Sequence, residues 1–165
     1  MENGKRSLSA GAYEYRWAKV DEWIPTMDMI WRTFLKFEGE EYSEEGIQNF
    51  YEFITDTDLY RAFLAGRYQL MVALDGERII GAASVRNHNH LSLLFVEEQY
   101  HRRGIGRTLI DRMCDYLQYE AGEEFMSLKA APYAVEFYHK IGFRTLGAEE
   151  EYSGIRVTPM ERVFH

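Results

Sequence analysis

Two glycines and three arginines fall within the seven residues His101-Arg102-Arg103-Gly104-Ile105-Gly106-Arg107, and this is the stretch of the chain best suited to holding an anion. Glycine lets backbone N–H groups approach a bulky anion closely. A helix starting here would add about four N–H groups without intrahelical partners and roughly half a positive charge. Such a cradle needs no particular side chain, although Arg102, Arg103 and Arg107 add charge around it. Gly-x-Gly by itself also fits a plain helix start with loose backbone. A P-loop is excluded, because the chain contains no Gly-Lys-Ser/Thr. A dinucleotide fingerprint needs a small residue three positions after Gly106, where Leu109 stands.

Other residues have types suited to moving protons. His90 opens a predicted strand, two residues before Ser92, and an imidazole near its reference pKa of about 6.5 accepts a proton at neutral pH. It reads equally well as a solvated turn histidine in Asn87-His88-Asn89-His90. Glu97 and Glu98 are alternative bases near the arginine-rich turn, though surface carboxylates are usually just solvated. Tyr138 shares an apolar stripe with Phe137 and, taken alone, is a core aromatic. His139 falls on the outer face of the same helix. The acidic run Glu38, Glu40, Glu41, Glu44 and Glu45 reads first as a solvated loop. Cys114 lies on a buried stripe, a core filler rather than a nucleophile. No His/Asp/Glu spacing suggests a metal.

The elements that must position these groups follow from periodicity. Tyr13 to Trp17 alternates as a short strand, and Asp21 is a plausible N-cap for a helix whose face is Trp23, Met27, Ile30, Trp31 and Phe34. Ser43 caps a second helix, with Ile47, Phe50, Tyr51 and Ile54 on one face. Tyr68–Leu74 and Ile79–Val85 are strands joined at Asp75-Gly76, a tight hairpin turn. Asn87–Asn89 turns the chain into strand Leu91–Val96, apolar at nearly every position and therefore central. Gly104 to Tyr119 is an amphipathic helix, Phe125–Ala130 a strand, and Pro132 opens a helix closed by Gly142. Strands near Phe143–Glu150 and Ile155–Val163 finish a single α+β domain, with an antiparallel meander leading into a βαβ unit.

Composition sets outer limits. The chain has 165 residues, 46% of them hydrophobic and 15% aromatic, enough for one compact domain with a real core. A net charge of −8 argues against a nucleic-acid partner, which would need a basic face. One cysteine rules out an internal disulfide and fits a reducing cytoplasm. No apolar run is long enough to span a bilayer, so no membrane partner is expected. Residues 1–11, with Lys5 and Arg6 but no apolar stretch behind them, read as a flexible leader, and 12–165 as the domain.

A second segment narrows the anion. Tyr133-Ala134-Val135-Glu136-Phe137-Tyr138-His139-Lys140-Ile141-Gly142-Phe143, taken with Arg102-Arg103-Gly104-Ile105-Gly106, resembles the GNAT superfamily of acyl-CoA-dependent N-acyltransferases. The first segment is similar to that family's Gln/Arg-x-x-Gly-x-Gly/Ala motif, with His101 in the leading position. The second is similar to its Ala-x-x-Phe-Tyr helix ending in Leu-Gly-Phe, with Ala131 where an Asn is common. Gly154 to Met160 also resembles endings found in bacterial members. The motifs cover roughly Leu91 to Met160.

The resemblance implies a mixed, mostly antiparallel central sheet flanked by helices, with acetyl-CoA as cosubstrate and no metal. It implies that Phe95 and Val96 pair their backbone with the pantetheine arm. The backbone from His101, Arg102, Arg103, Gly104, Ile105 and Gly106 to Arg107, with Thr108, would hold the pyrophosphate, and Ala134 and Phe137 would flank the cofactor. Tyr138 would protonate the leaving thiolate, and His90 would deprotonate the acceptor amine. Glu38 and Glu41 would bind that amine, of a small molecule or peptide. Many relatives dimerise, so a homodimer is a further expectation. A non-catalytic acyl-CoA-binding module of the same fold is the competing function, and retained Tyr138 beside an unbroken cradle argues against it. RNA binding through the arginines fits the net charge poorly.

Overall fold

The computed structural model describes residues 13–152 and 154–165, so the expected leader lies outside the described residues. Alternating aromatic and polar residues at the start of that range give β1 (Glu14–Trp17), which pairs antiparallel with β2 (Gln69–Asp75). Gly76, at φ +63°, supplies the left-handed residue that turns β2 into β3 (Arg78–Arg86). The three-residue turn into β4 (His90–Val96), between the paired Arg86 and His90, puts both Asn87 and His88 at positive φ.

β5 (Phe125–Ala130) runs parallel to β4, and the chain ends in β8 (Ile155–Val163). Two short strands, β6 (Arg144–Thr145) and β7 (Glu150–Tyr152), pair with β8. The sheet order is β1-β2-β3-β4-β5-β8-β6, mostly antiparallel, with helices on both faces. That is the α+β architecture expected. β2 shows why its sequence is apolar at every interior position: Met71 and Ala73 enter one core, and Leu70, Val72 and Leu74 the other.

The first core takes α4 (Ile105–Asp115), which continues as a π turn over Tyr116–Glu120, and α5 (Val135–Lys140). The second takes α1 (Trp23–Phe37), α2 (Glu44–Ile54) and α3 (Thr57–Leu64). Ser43 caps α2 as expected, accepting from the Gly46 N–H at 3.0 Å. Asp21 does not cap α1; it sits inside a 3₁₀ turn, Val20–Glu22. Glu22 holds the N-cap position of α1 without a side-chain cap bond. Its carboxylate instead accepts the Lys19 N–H at 2.7 Å, closing the 3₁₀ turn, while gripping Arg16 at 2.8 Å. α3, capped by Asp56, has no counterpart in the predicted elements.

Two irregularities in β4 shape the molecule's centre. Ser84 faces Leu93 and Val85 faces Leu91, so Ser92 is an extra residue, a bulge. The bulge turns Leu91 toward α4 while Leu93 faces α1. On the other edge, β4 and β5 share one register pair, His90↔Ser127, with the Ser127 N–H bonded to the Asn89 carbonyl at 3.0 Å. Beyond it the strands splay, and the β4 edge from Leu91 to Val96 is not paired with β5.

Candidate active site

Backbone geometry makes the arginine-rich turn concave. Arg102 lies at φ +65° and Gly104 at φ +77°, two left-handed residues separated by one other. Alternation of this kind turns successive N–H groups inward to form an anion-binding nest. Left-handed backbone costs a non-glycine residue roughly 1–2 kcal/mol, so Arg102 is strained where the chain needs the curve. The N–H groups of α4's first turn add to the nest. Space is available: a Cβ on Gly104 would meet nothing within 4 Å, and one on Gly106 would stand 3.5 Å from Phe137 and 3.9 Å from Val96. A pyrophosphate fits this cradle.

The turn and the free edge of β4 line one cavity of about 700 Å³. Phe95 and Val96 form one wall, the turn from His101 to Arg107 another, and Phe137 a third. The imidazole of His101 donates from Nε2 to the Val96 carbonyl at 2.7 Å and packs on Phe37, tying the turn to the strand end. Arg107, 66% exposed, is held only loosely to Asp111 at 3.7 Å.

Two expected cofactor contacts, Thr108 and Ala134, are placed differently, and Arg103 keeps its backbone in the nest but not its charge. The Arg103 guanidinium donates to the Tyr13 hydroxyl at 2.6 Å and stacks on Tyr100, so its charge is directed away from this cavity. Thr108 spends its hydroxyl hydrogen on the Gly104 carbonyl, 2.9 Å away, within its own helix. Ala134 lines a second, neighbouring cavity instead.

That second cavity, about 360 Å³, lies in the splay between β4 and β5 under α2. It shares Glu38, Leu94, Phe95 and Tyr133 with the first, so the two meet. Tyr138 faces it, while its neighbour Phe137 faces the first. Tyr138 is 8% exposed and packs edge-on against Phe137 and Phe143. Burial, and then the charge of Glu38, push its phenol well above the ordinary value, so it stays protonated throughout the neutral range.

Glu38 follows α1 and is 7% exposed at this junction. Burial raises its pKa, partly offset by hydrogen bonds from the Tyr42 hydroxyl at 3.0 Å and from Tyr133. A buried carboxylate with a raised pKa holds a proton more readily than a surface one.

The other proton-transfer candidates are elsewhere. His90 is off both cavity linings, with Nδ1 2.9 Å from the Ser127 hydroxyl. Burial, followed by the charges of Arg86 and Lys129, lowers its pKa to about 4, which makes it a weak base. Glu97 is engaged by Arg78 and Arg32, and Glu98 by Lys36. Glu41 is exposed and outside the linings. His139 bonds Thr145 on the surface. Cys114 is buried, with its thiol pushed up to about 12 by burial, in keeping with a filler role. Among the described residues no His, Cys, Asp and Glu cluster could hold a metal ion, and no helix is long and apolar enough to cross a membrane.

Tyr42, Tyr133, Arg86 and the Ser92 bulge were not legible in the sequence as site features. Tyr133, Arg86 and the bulge owe their places to contacts distant in the chain, whereas Tyr42 bonds Glu38 only four residues away and gains its place from the burial of that carboxylate.

Comparison with known proteins gives a consistent fold. Residues 38–164 match the family model described as an acetyltransferase (GNAT) domain. No curated protein matches the sequence. Among solved structures, a GCN5-related N-acetyltransferase of Rhodopseudomonas palustris superposes with a TM-score of 0.79 at 22% identity, covering 98% of this chain and 100% of that one. The PaiA N-acetyltransferase of Thermoplasma acidophilum, solved in complex with coenzyme A, gives 0.76 at 16% identity, covering 92% and 99%. A dodecameric spermidine N-acetyltransferase of Vibrio cholerae gives 0.65 at 17% identity, covering 93% and 94%.

Proposed function

Because the chain belongs to the GNAT acetyltransferase family, we propose that it transfers an acetyl group from acetyl-CoA to the primary amine of a small molecule or peptide by direct attack on the thioester. The observation that carries this is the meeting of the two cavities. One offers an anion cradle and an unpaired strand edge, the other a buried acid–base pair, and they join beside Glu38. The nest and the first turn of α4 hold the pyrophosphate, helped by Arg107. The free edge of β4 at Phe95 and Val96 takes the pantetheine amides as it would an added strand. His101 must release the Val96 carbonyl if that group is to join the pairing.

Bound acetyl-CoA supplies an electrophilic acyl carbon and a thiolate leaving group. An alkylammonium, with a pKa of about 10, must lose a proton before its nitrogen can attack. Glu38 takes that proton and passes it to solvent, a role assigned here in place of His90, which is remote and weakly basic. Backbone N–H groups at the end of β4 polarise the thioester carbonyl. As the new C–N bond forms and the C–S bond breaks, Tyr138 gives its proton to sulfur and recovers one from the attacking nitrogen. The products are the N-acetyl amine, free CoA thiol and one proton.

Thiol release from acetyl-CoA against an amine panel tests the proposal, with Tyr138→Phe as control. Amine-dependent release that falls sharply in the variant supports it. Acetyl-CoA binding with no release toward any amine would replace it with a non-catalytic acyl-CoA-binding module.

A further inference from the structure

The charges lining the second cavity are arranged by position. Glu38 lies at the end shared with the cofactor cavity, bound by tyrosine hydroxyls. Arg86 ends β3, pairing across the ladder with His90. Phe95 pairs with Ala82, four residues along β3 from that rung, roughly 13 Å at about 3.3 Å per residue. Arg86 therefore occupies the end of the cavity away from the thioester.

Its partners are incomplete. The guanidinium carbon sits 5.6 Å from the Phe53 ring centroid, and Nε is buried without a hydrogen-bond partner. Lys129, the other cation of this lining, is bonded to Glu150 at 2.7 Å. Arg86 has no carboxylate within ion-pair distance among the described residues. Asp56, Asp58 and Glu123 line the adjoining cavity of about 640 Å³, which Arg86 also borders, but none reaches it. A guanidinium presents N–H donors in a fixed planar fork that matches a carboxylate with two parallel hydrogen bonds.

We propose that the acceptor is an amine carrying a carboxylate several bonds away, with the amine at Glu38 and the carboxylate on Arg86. This rests on taking the second cavity as the acceptor pocket. The same geometry disfavours diamines, whose second ammonium would face an unpaired guanidinium. The residue is thus specificity-determining: it sets which amines enter, and the chemistry at the other end is common to all of them.

Three acceptors of one length separate the possibilities: 6-aminohexanoate, its neutral carboxamide, and hexane-1,6-diamine. The wild-type protein should favour the carboxylate over the amide in kcat/KM by about 10- to 100-fold, the range for hydrogen bonds to a charged group. The diamine should be the poorest. Arg86→Gln should bring the carboxylate-to-amide ratio close to one, through KM rather than kcat, and Arg86→Lys should restore part of it. Thermal melting of each variant checks that it is folded. A wild-type preference for the diamine or the amide, or a ratio that survives Arg86→Gln, would overturn the proposal.

Titration calorimetry of 6-aminohexanoate into the CoA-saturated protein keeps this question apart from catalysis. If no amine releases thiol, the acetyl-transfer reading fails on its own. Binding lost in Arg86→Gln still supports the carboxylate site, and equal binding in the two proteins refutes it.

Discussion

The two cavities that meet at Glu38 are built by different means. The side proposed for the cofactor is mainly backbone: a nest with left-handed residues at 102 and 104, the first turn of α4, and an unpaired stretch of β4. The side proposed for the acceptor is mainly side chains brought from separate elements, among them Glu38 after α1, Tyr138 on α5 and Arg86 at the end of β3. A backbone site constrains a short contiguous run, chiefly through its glycines. A side-chain site constrains scattered positions and can change its ligand without disturbing the fold. The contrast predicts that damage on one side should be readable without damage on the other.

The largest effect should come from Tyr138, which lines the second cavity and is proposed to act on the cofactor's sulfur. Tyr138→Phe keeps the packing against Phe137 and Phe143 and removes only the hydroxyl that carries the proton. Turnover should fall about 10²- to 10⁴-fold, the usual contribution of a positioned general acid, while acetyl-CoA affinity measured by calorimetry stays near wild type. Unchanged turnover would return Tyr138 to the role of a core aromatic.

Glu38→Gln comes next, at about 10- to 100-fold in kcat/KM, less because solvent can accept part of the proton load. Its pH behaviour is the sharper test. Glu38 must be ionised to act, and burial raises its pKa, so activity should fall as pH drops through a value above the ordinary carboxylate range. The variant should lack that limb. Stability moves the opposite way. A carboxyl whose folded pKa exceeds its unfolded one favours the folded state at low pH, and that advantage is lost as pH rises through the folded value. Glu38→Gln should therefore melt higher than wild type at neutral pH, with the difference vanishing below about pH 4, where both carboxyl states are protonated.

The same contrast explains what the sequence disclosed. Gly104-Ile105-Gly106 and the helix carrying Tyr138 were readable because each needs particular residues within a few positions. β2 and β3, the Asp75-Gly76 turn and the Ser43 cap were readable because their physics is local. Nothing in the sequence marks the one-rung pairing with β5 that buries His90 beside Ser127, Arg86 and Lys129, off both cavity linings. Glu38 could be separated from Glu41 only by the end of α1, which buries the first and leaves the second in solvent. Arg103 looked like its neighbours until β1 brought Tyr13 against it.

On the cofactor side, Gly104→Ala isolates the backbone. A Cβ there has open space, so the cost is conformational alone, roughly 1–2 kcal/mol for a left-handed residue. Denaturant unfolding should show that loss, and acetyl-CoA binding should weaken as the nest relaxes. The acceptor KM at saturating acetyl-CoA should not move. A variant that binds acetyl-CoA normally would mean that the curvature at Gly104 serves the fold and not the pyrophosphate.

Ser43→Ala is the smallest change and probes the opposite side. The Ser43 hydroxyl accepts from the Gly46 N–H and donates to the Gly154 carbonyl, each at 3.0 Å, pinning the start of α2 to the turn between β7 and β8. The contact is close enough that a Cβ on Gly46 would lie 2.9 Å from the Gly154 carbonyl oxygen. Gly46 and, further along α2, Asn49, Phe50 and Phe53 all face the acceptor cavity. Removing the cap should cost about 1 kcal/mol of stability. It should also loosen the roof over the acceptor, so acceptor KM rises by a few fold while acetyl-CoA affinity holds. The two variants thus predict opposite patterns from two losses of similar size: Gly104→Ala affects the cofactor alone and Ser43→Ala the acceptor alone. If Ser43→Ala weakened both ligands equally, α2 would be a shared support, and the division between a backbone side and a side-chain side would fail at this helix.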